Sequence, residues 1–141
     1  MQSFSKKEQE TLNDVEKVKE WFSKDLFVKG IGTQIVELSK EKAVVTVTIL
    51  PAHQNANGCA QGGMLYTVAD YTFALHANYL HGPAVTQGGR VQYLIPAQVG
   101  EELTFTATET AHAGHNTVSE VVVKNSAGEI VCVCNFNGFV R

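Results

Sequence analysis

Apolar residues recur at helical spacing near the start of the chain. Leu12, Val15, Val18, Trp21 and Phe22 form one stripe within residues 6–24, and charged residues fill the opposite face. That pattern predicts an amphipathic helix capping a larger body. Residues 27–38 are apolar but interrupted by Gly30 and Gly32, which predicts a short connection and then a strand. Residues 43–50 (AVVTVTIL) are rich in β-branched side chains and alternate around Thr46 and Thr48. They predict a strand stopped by Pro51. A polar loop with three glycines follows over 52–63, and residues from Gly62 or Gly63 to about Tyr79 predict a helix. That helix is apolar or small almost all round, so it should be buried. His81-Gly82-Pro83 ends it. Four β segments follow at about 84–95, 101–112, 116–124 and 129–139, separated by turn sequences.

Adjacent strands joined by tight turns pair antiparallel. The expectation is an α+β domain in which one antiparallel β-sheet wraps around a long central helix, with an extra N-terminal helix. The chain divides into a helical extension over 1–26 and one domain over 27–141. One sheet covers only part of a helix that is apolar all round, so the uncovered part should meet a second subunit.

Composition narrows the classes. The net charge of −3 gives no electrostatic footprint for nucleic acid. No apolar run reaches membrane-spanning length, and the polar start lacks the apolar core of a signal peptide. Three cysteines, Cys59, Cys132 and Cys134, make no disulfide framework and suggest a reducing, cytoplasmic setting. On one strand, Cys132 and Cys134 would face the same side, with no His cluster beside them, so no metal or other cofactor is expected.

The candidate chemistry lies in 55–78, NANGCAQGGMLYTVADYTFALHAN. Two glycines open a helix whose first N–H groups lack internal partners, and glycine lets a ligand oxygen approach them. A tight turn alone would also explain Gly62 and Gly63. Asp70 is a carboxylate in the middle of a buried helix, a costly placement unless it is paired or faces a cavity. It could be structural or functional. It is also the only carboxylate between Glu41 and Glu101. Roughly 10 Å of helix rise separates it from Gly63, so if both act on one substrate they come from different subunits. His53, His81 and His112 read as solvated loop or strand-end residues. His76, rotated away from Asp70, reads as a core or interface residue.

The segment Asn55, Gly58, Gln61-Gly62-Gly63, Val68-Ala69-Asp70 and Asn78, continued by Tyr93-Leu94-Ile95-Pro96-Ala97 and Gly100-Glu101, resembles the PaaI-like hotdog thioesterases over roughly 27–139. The resemblance implies a hotdog fold, assembly as a dimer of dimers, and hydrolysis of an acyl-coenzyme A thioester. By the same resemblance, Asp70 is the catalytic base or nucleophile, the Gly63 N–H the oxyanion donor with Gly62 beside it, and Asn55 the loop residue that positions substrate or water. Thr86 falls where relatives hold the water, and Tyr66 is a candidate for the acyl pocket. Two departures stand out. Gln61 replaces the family's usual His, so its role must be orienting or polarising. His115 stands where relatives carry a basic residue, leaving Arg90 and Lys124 as phosphate contacts. The rivals are a non-catalytic acyl-CoA-binding hotdog protein and a hotdog dehydratase, which Gln61 disfavours.

Overall fold

The computed structural model describes residues 14–141. Residues 6–13 of the expected first helix lie outside that range. Within it, α1 (Val15–Phe22) starts at Asp14, whose carboxylate accepts from the Glu16 and Lys17 N–H groups at 2.9 and 3.3 Å. Its apolar face points inward: Val18 is fully buried, and Phe22 meets Tyr71 edge-to-face at 5.9 Å.

The stretch expected to be a connection contains a short helix, α2 (Leu26–Ile31). Asp25 caps it by accepting from the Val28 N–H at 3.0 Å, and Gly32 stops it at φ +91. Gly30 lies inside this helix, where a sequence reader takes it for a break. Val28 and Ile31 are buried, while Leu26 and Phe27 stay exposed.

The strands are β1 (Gln34–Leu38), β2 (Ala43–Thr48), β3 (Ala84–Tyr93), β4 (Glu102–Ala113), β5 (Asn116–Lys124) and β6 (Ile130–Val140). They form one antiparallel sheet in the order β1-β2-β4-β5-β6-β3. Inward residues alternate as the pleat requires: Val45 and Val47, Leu103 and Phe105, Val121 and Val123, Cys132, Cys134 and Phe136 are all buried. Against them lies α3 (Gly62–His81). Phe73 stacks on Phe136 at 5.5 Å and sits where Gly138 leaves room: a Cβ there would stand 3.0 Å from the ring.

Two polar side chains tie α3 to the sheet. Buried Asn78 donates from Nδ2 to the Ala74 and Ala84 carbonyls at 2.8 and 3.1 Å, and its Oδ1 accepts from the Ala84 N–H at 3.0 Å. The chain thus leaves the helix and enters β3 in one fixed register. His76 is also buried, and its Nε2 donates to the Ser39 and Lys40 carbonyls at 3.1 and 3.3 Å, tying down the β1–β2 turn. It is a core residue. Burial pushes its pKa down, against the opposing pull of the Lys40 and Ser39 carbonyls.

His81 is not the solvated residue its position suggests. It pairs with Glu109, which also accepts from Thr117 Oγ1 at 2.7 Å, and its ring stacks on His112 at 3.9 Å. Burial alone would raise the Glu109 pKa. The hydrogen bonds from His81 and Thr117, together with the nearby His charges, win and hold it below its ordinary value. A depressed carboxylate contributes stability above its unfolded pKa and loses it as pH falls through the folded one. We expect Glu109→Gln to lower stability by about 1–2 kcal/mol at pH 7. In thermal melts at stepped pH the deficit should shrink toward zero in the acid range, where the wild-type side chain is itself protonated.

Candidate active site

The loop before α3 folds on itself. Asn55 Oδ1 accepts from the Asn57 and Cys59 N–H groups at 2.9 and 3.3 Å, and its own N–H donates to the Cys59 carbonyl at 2.7 Å. Gly58 takes φ +79 to close the turn. The Asn55 oxygen is therefore spent on the loop, and its Nδ2 is the group left for a ligand. His53, expected in solvent, is buried: its Nδ1 accepts from the Leu50 N–H at 3.0 Å, and its carbonyl accepts from the Gln61 N–H at 2.8 Å. These bonds set where the helix begins.

Gln61 caps α3 with its own side chain. Its Oε1 accepts from the Gly63 N–H at 2.5 Å, and its carbonyl accepts from the Met64 and Leu65 N–H groups. The Gly63 N–H expected to be the oxyanion donor is therefore occupied. The Gly62 N–H has no hydrogen-bond partner among the described residues. Gly62 is constrained from the side as well: a Cβ there would meet the Tyr93 ring at 2.9 Å, and Tyr93 Oη donates to the Gly62 carbonyl at 2.6 Å. Nothing in the sequence marks that contact, which joins residues far apart along the chain.

Cavities open on both sides of the helix start. One, of about 340 Å³, is lined by Asn55, Cys59, Gly62, Leu65, Tyr93 and Leu94 among others. The second, of about 360 Å³, is bordered by Phe27, Ile31, Gln61, Gly63, Met64 and Thr67 among others. Neither is lined by an Asp, Glu, Lys or Arg.

Farther along, the sheet leaves one stripe of α3 incompletely covered: Gly63, Tyr66, Thr67, Asp70 and Ala74. Asp70 is half-buried, and its Oδ1 accepts from Thr86 Oγ1 at 2.6 Å. Thr86 sits where the β3–β6 register shifts, between Thr86 and Gly88. Burial raises the Asp70 pKa. The Thr86 hydrogen bond pulls it back, and the Asp25 charge adds to the rise. Tyr66 packs edge-to-face on Phe136 at 5.3 Å with its hydroxyl over Gly89. Burial raises its pKa too, and the Asp70 charge adds to that. The fold thus gathers Asp70, Thr86 and Tyr66 in one place and Asn55, Gln61, Gly62 and Gly63 in another. Eight residue steps along the helix separate Gly62 from Asp70, about 12 Å of rise, so one chain does not bring both to one carbonyl carbon.

Arg90 is exposed on β3, opposite Asn135 on β6. His115 donates from Nδ1 to the Val140 carbonyl at 2.7 Å and stacks on Phe139 at 5.0 Å. Among the described residues no group of His, Cys, Asp and Glu is arranged to hold a metal ion. No helix there is long and apolar enough to cross a membrane.

The Thioesterase superfamily model matches residues 57–132. The acyl-coenzyme A thioesterase PaaI of Escherichia coli is 29% identical over 113 residues, covering 79% of this chain and 80% of its own length. The structure of E. coli PaaI superposes with a TM-score of 0.86, over 95% of this chain and 96% of that one at 22% identity. The TT0310 protein of Thermus thermophilus gives a TM-score of 0.80 at 30% identity, covering 84% and 99% of the two chains. A hypothetical thioesterase of Streptococcus pneumoniae, solved with coenzyme A, gives 0.75 at 27% identity over 77% and 88%. With more than half its length matched by one family model and its architecture shared with these proteins, the chain belongs to the thioesterase superfamily, as a hotdog protein with PaaI-like relatives.

Proposed function

We propose that the protein hydrolyses an acyl-coenzyme A thioester at a site completed by a second copy of the chain. The observation that carries this reading is Asp70. It is a half-buried carboxylate with a raised pKa, bonded to Thr86, on the one stripe of α3 that the sheet leaves open. A base is most effective when its pKa approaches the working pH, and burial moves Asp70 in that direction.

In this mechanism the thioester oxygen accepts from the Gly62 N–H of one subunit and displaces the Gln61 amide from the Gly63 N–H. Asn55 Nδ2 orients the substrate. Asp70 of the other subunit takes a proton from a water that Thr86 helps to hold, and the water oxygen bonds to the carbonyl carbon. Negative charge on the former carbonyl oxygen is met by the helix-start N–H groups. The C–S bond then breaks, and the thiolate of coenzyme A leaves with the proton carried by Asp70. Cavities free of charged side chains suit a neutral, apolar acyl group, with Tyr66 beside it. Arg90 and Lys124 are the proposed phosphate contacts.

Two features support the second copy. The uncovered stripe of α3 needs a partner. So does β3, a ten-residue edge strand with one charge and no proline, since such edges invite pairing. We propose that two β3 edges join and bring the α3 helices side by side, with two such dimers forming a tetramer. The free thiols of Cys59, Cys132 and Cys134 accord with a reducing, cytoplasmic compartment. Occupation of the Gly63 N–H by Gln61 favours one rival, a protein that binds acyl-CoA without cleaving it.

Thiol release by the wild type separates the two, and Asp70→Asn tests the mechanism. Followed by thiol release over a panel of acyl-CoAs, it should lower kcat at least about a hundredfold with KM little changed. An active Asn variant would remove the mechanism.

The same variant should melt no lower than wild type at pH 7. A carboxyl whose folded pKa is raised destabilises the fold above its unfolded pKa of about 4, and the penalty disappears below it. The Asn variant's advantage should therefore vanish in acid.

Mixing tests the shared site. Asp70→Asn and Gly62→Val subunits, each inactive, should regain about a quarter of wild-type activity after unfolding and refolding together. Half the dimers would then be mixed, each with one intact site. No recovery, with mixed dimers demonstrated by mass, would place both groups in one chain.

A further inference from the structure

Tyr93 ends β3 and is 49% exposed. Its hydroxyl is nevertheless committed to one place, the Gly62 carbonyl at 2.6 Å, and its ring lies where a Cβ on Gly62 would stand. The Gly62 carbonyl and the Gly63 N–H are the two ends of one peptide group. A hydrogen bond to the oxygen draws charge from the nitrogen and makes the N–H a stronger donor, the usual cooperativity of linked amides. It also fixes the plane of that peptide and with it the direction of the Gly63 N–H.

The fold has other means of holding these segments. Gln61 caps the helix, the loop is tied by the Gln61 N–H on the His53 carbonyl and the Ala60 N–H on the Ala97 carbonyl, both at 2.8 Å, and Leu94 and Ile95 are tied to the Val131 carbonyl. The Tyr93 hydroxyl is thus surplus to the anchoring of the helix and the strand, and its distinctive effect falls on the donor peptide. Burial raises its pKa above the ordinary tyrosine value, so it stays a donor across the physiological range.

We propose that Tyr93 is a positioning residue for thioester hydrolysis, holding and polarising the Gly62–Gly63 peptide so that the Gly63 N–H meets the developing oxyanion. This rests on the thioesterase reading above. Tyr93 touches the peptide and not the reacting atoms, so its loss should cost less than loss of an oxyanion donor itself, which is worth about a hundredfold or more.

The test is Tyr93→Phe in the intact oligomer, beside wild type and Asp70→Asn. It keeps the ring against Gly62 and removes only the hydroxyl. We expect kcat to fall about tenfold with KM within about twofold and the melting temperature within about 2 °C of wild type. In ¹H–¹⁵N spectra the Gly63 amide should shift upfield. An unchanged kcat, with wild type active and Asp70→Asn inactive, overturns the proposal while leaving the thioesterase reading intact. A markedly lower melting temperature, or a variant that does not fold, makes Tyr93 structural and also overturns it. If wild type cleaves no acyl-CoA, the thioesterase reading fails and this role in hydrolysis falls with it. The Gly63 amide shift then reports only whether the hydroxyl polarises the peptide.

Discussion

Much of this molecule depends on how α3 hands the chain to β3. Asn78 is buried and satisfies both backbone polar groups of Ala84 and a carbonyl of its own helix. An amide so placed is expensive to leave unpaired, so it holds the reversal to one geometry. Gly82, at φ +78, supplies the backbone turn that lets the chain double back within those few residues. Once Ala84 is fixed, Thr86 two residues later falls beside Asp70, on the stripe of α3 that the sheet does not cover, and β3 becomes the outer strand.

That arrangement sets two demands against each other. The sheet buries most of α3 and gains the stability of a packed core, yet the stripe that remains carries a carboxylate whose ionisation its surroundings resist. The tension is local. Val68, Ala69, Phe73 and Leu75 on the covered faces are fully or almost fully buried, and the open face need not contribute to the core. The proposed chemistry therefore falls on the side of the helix where the proposed assembly would finish the enclosure.

The periodic parts of the chain were legible. Residues 43–50, the apolar helix after the glycine pair and the four C-terminal segments emerge at nearly the expected places, because each follows the period of its own element. Asp70 was conspicuous because a charge inside an apolar helix breaks that period. Less visible were features made by partners distant in sequence or by a side chain turning back on its own backbone. The sequence suggests an orienting or polarising role for Gln61, but in the fold its side chain caps α3. Asn55 stood out by resemblance, but only the folded loop shows that its oxygen is engaged. α2 was hidden by Gly30, which breaks the apolar pattern without breaking the helix. The burial of His53 and the pairing of His81 with Glu109 are tertiary facts, as is the reach of Tyr93 to Gly62.

Gly89 shows how exposure can mislead. It lies in the open on β3, where a reader of surface maps would allow any residue. A Cβ there would run into the Tyr66 hydroxyl and stand 2.6 Å from the Phe136 ring. Phe136 cannot retreat, because it is stacked on Phe73 within the core, and Tyr66 borders Asp70. The tolerance of this position to sequence drift is therefore set by an aromatic stack lying beneath the sheet, and a screen that ranks sites by solvent contact would place the position in the wrong class.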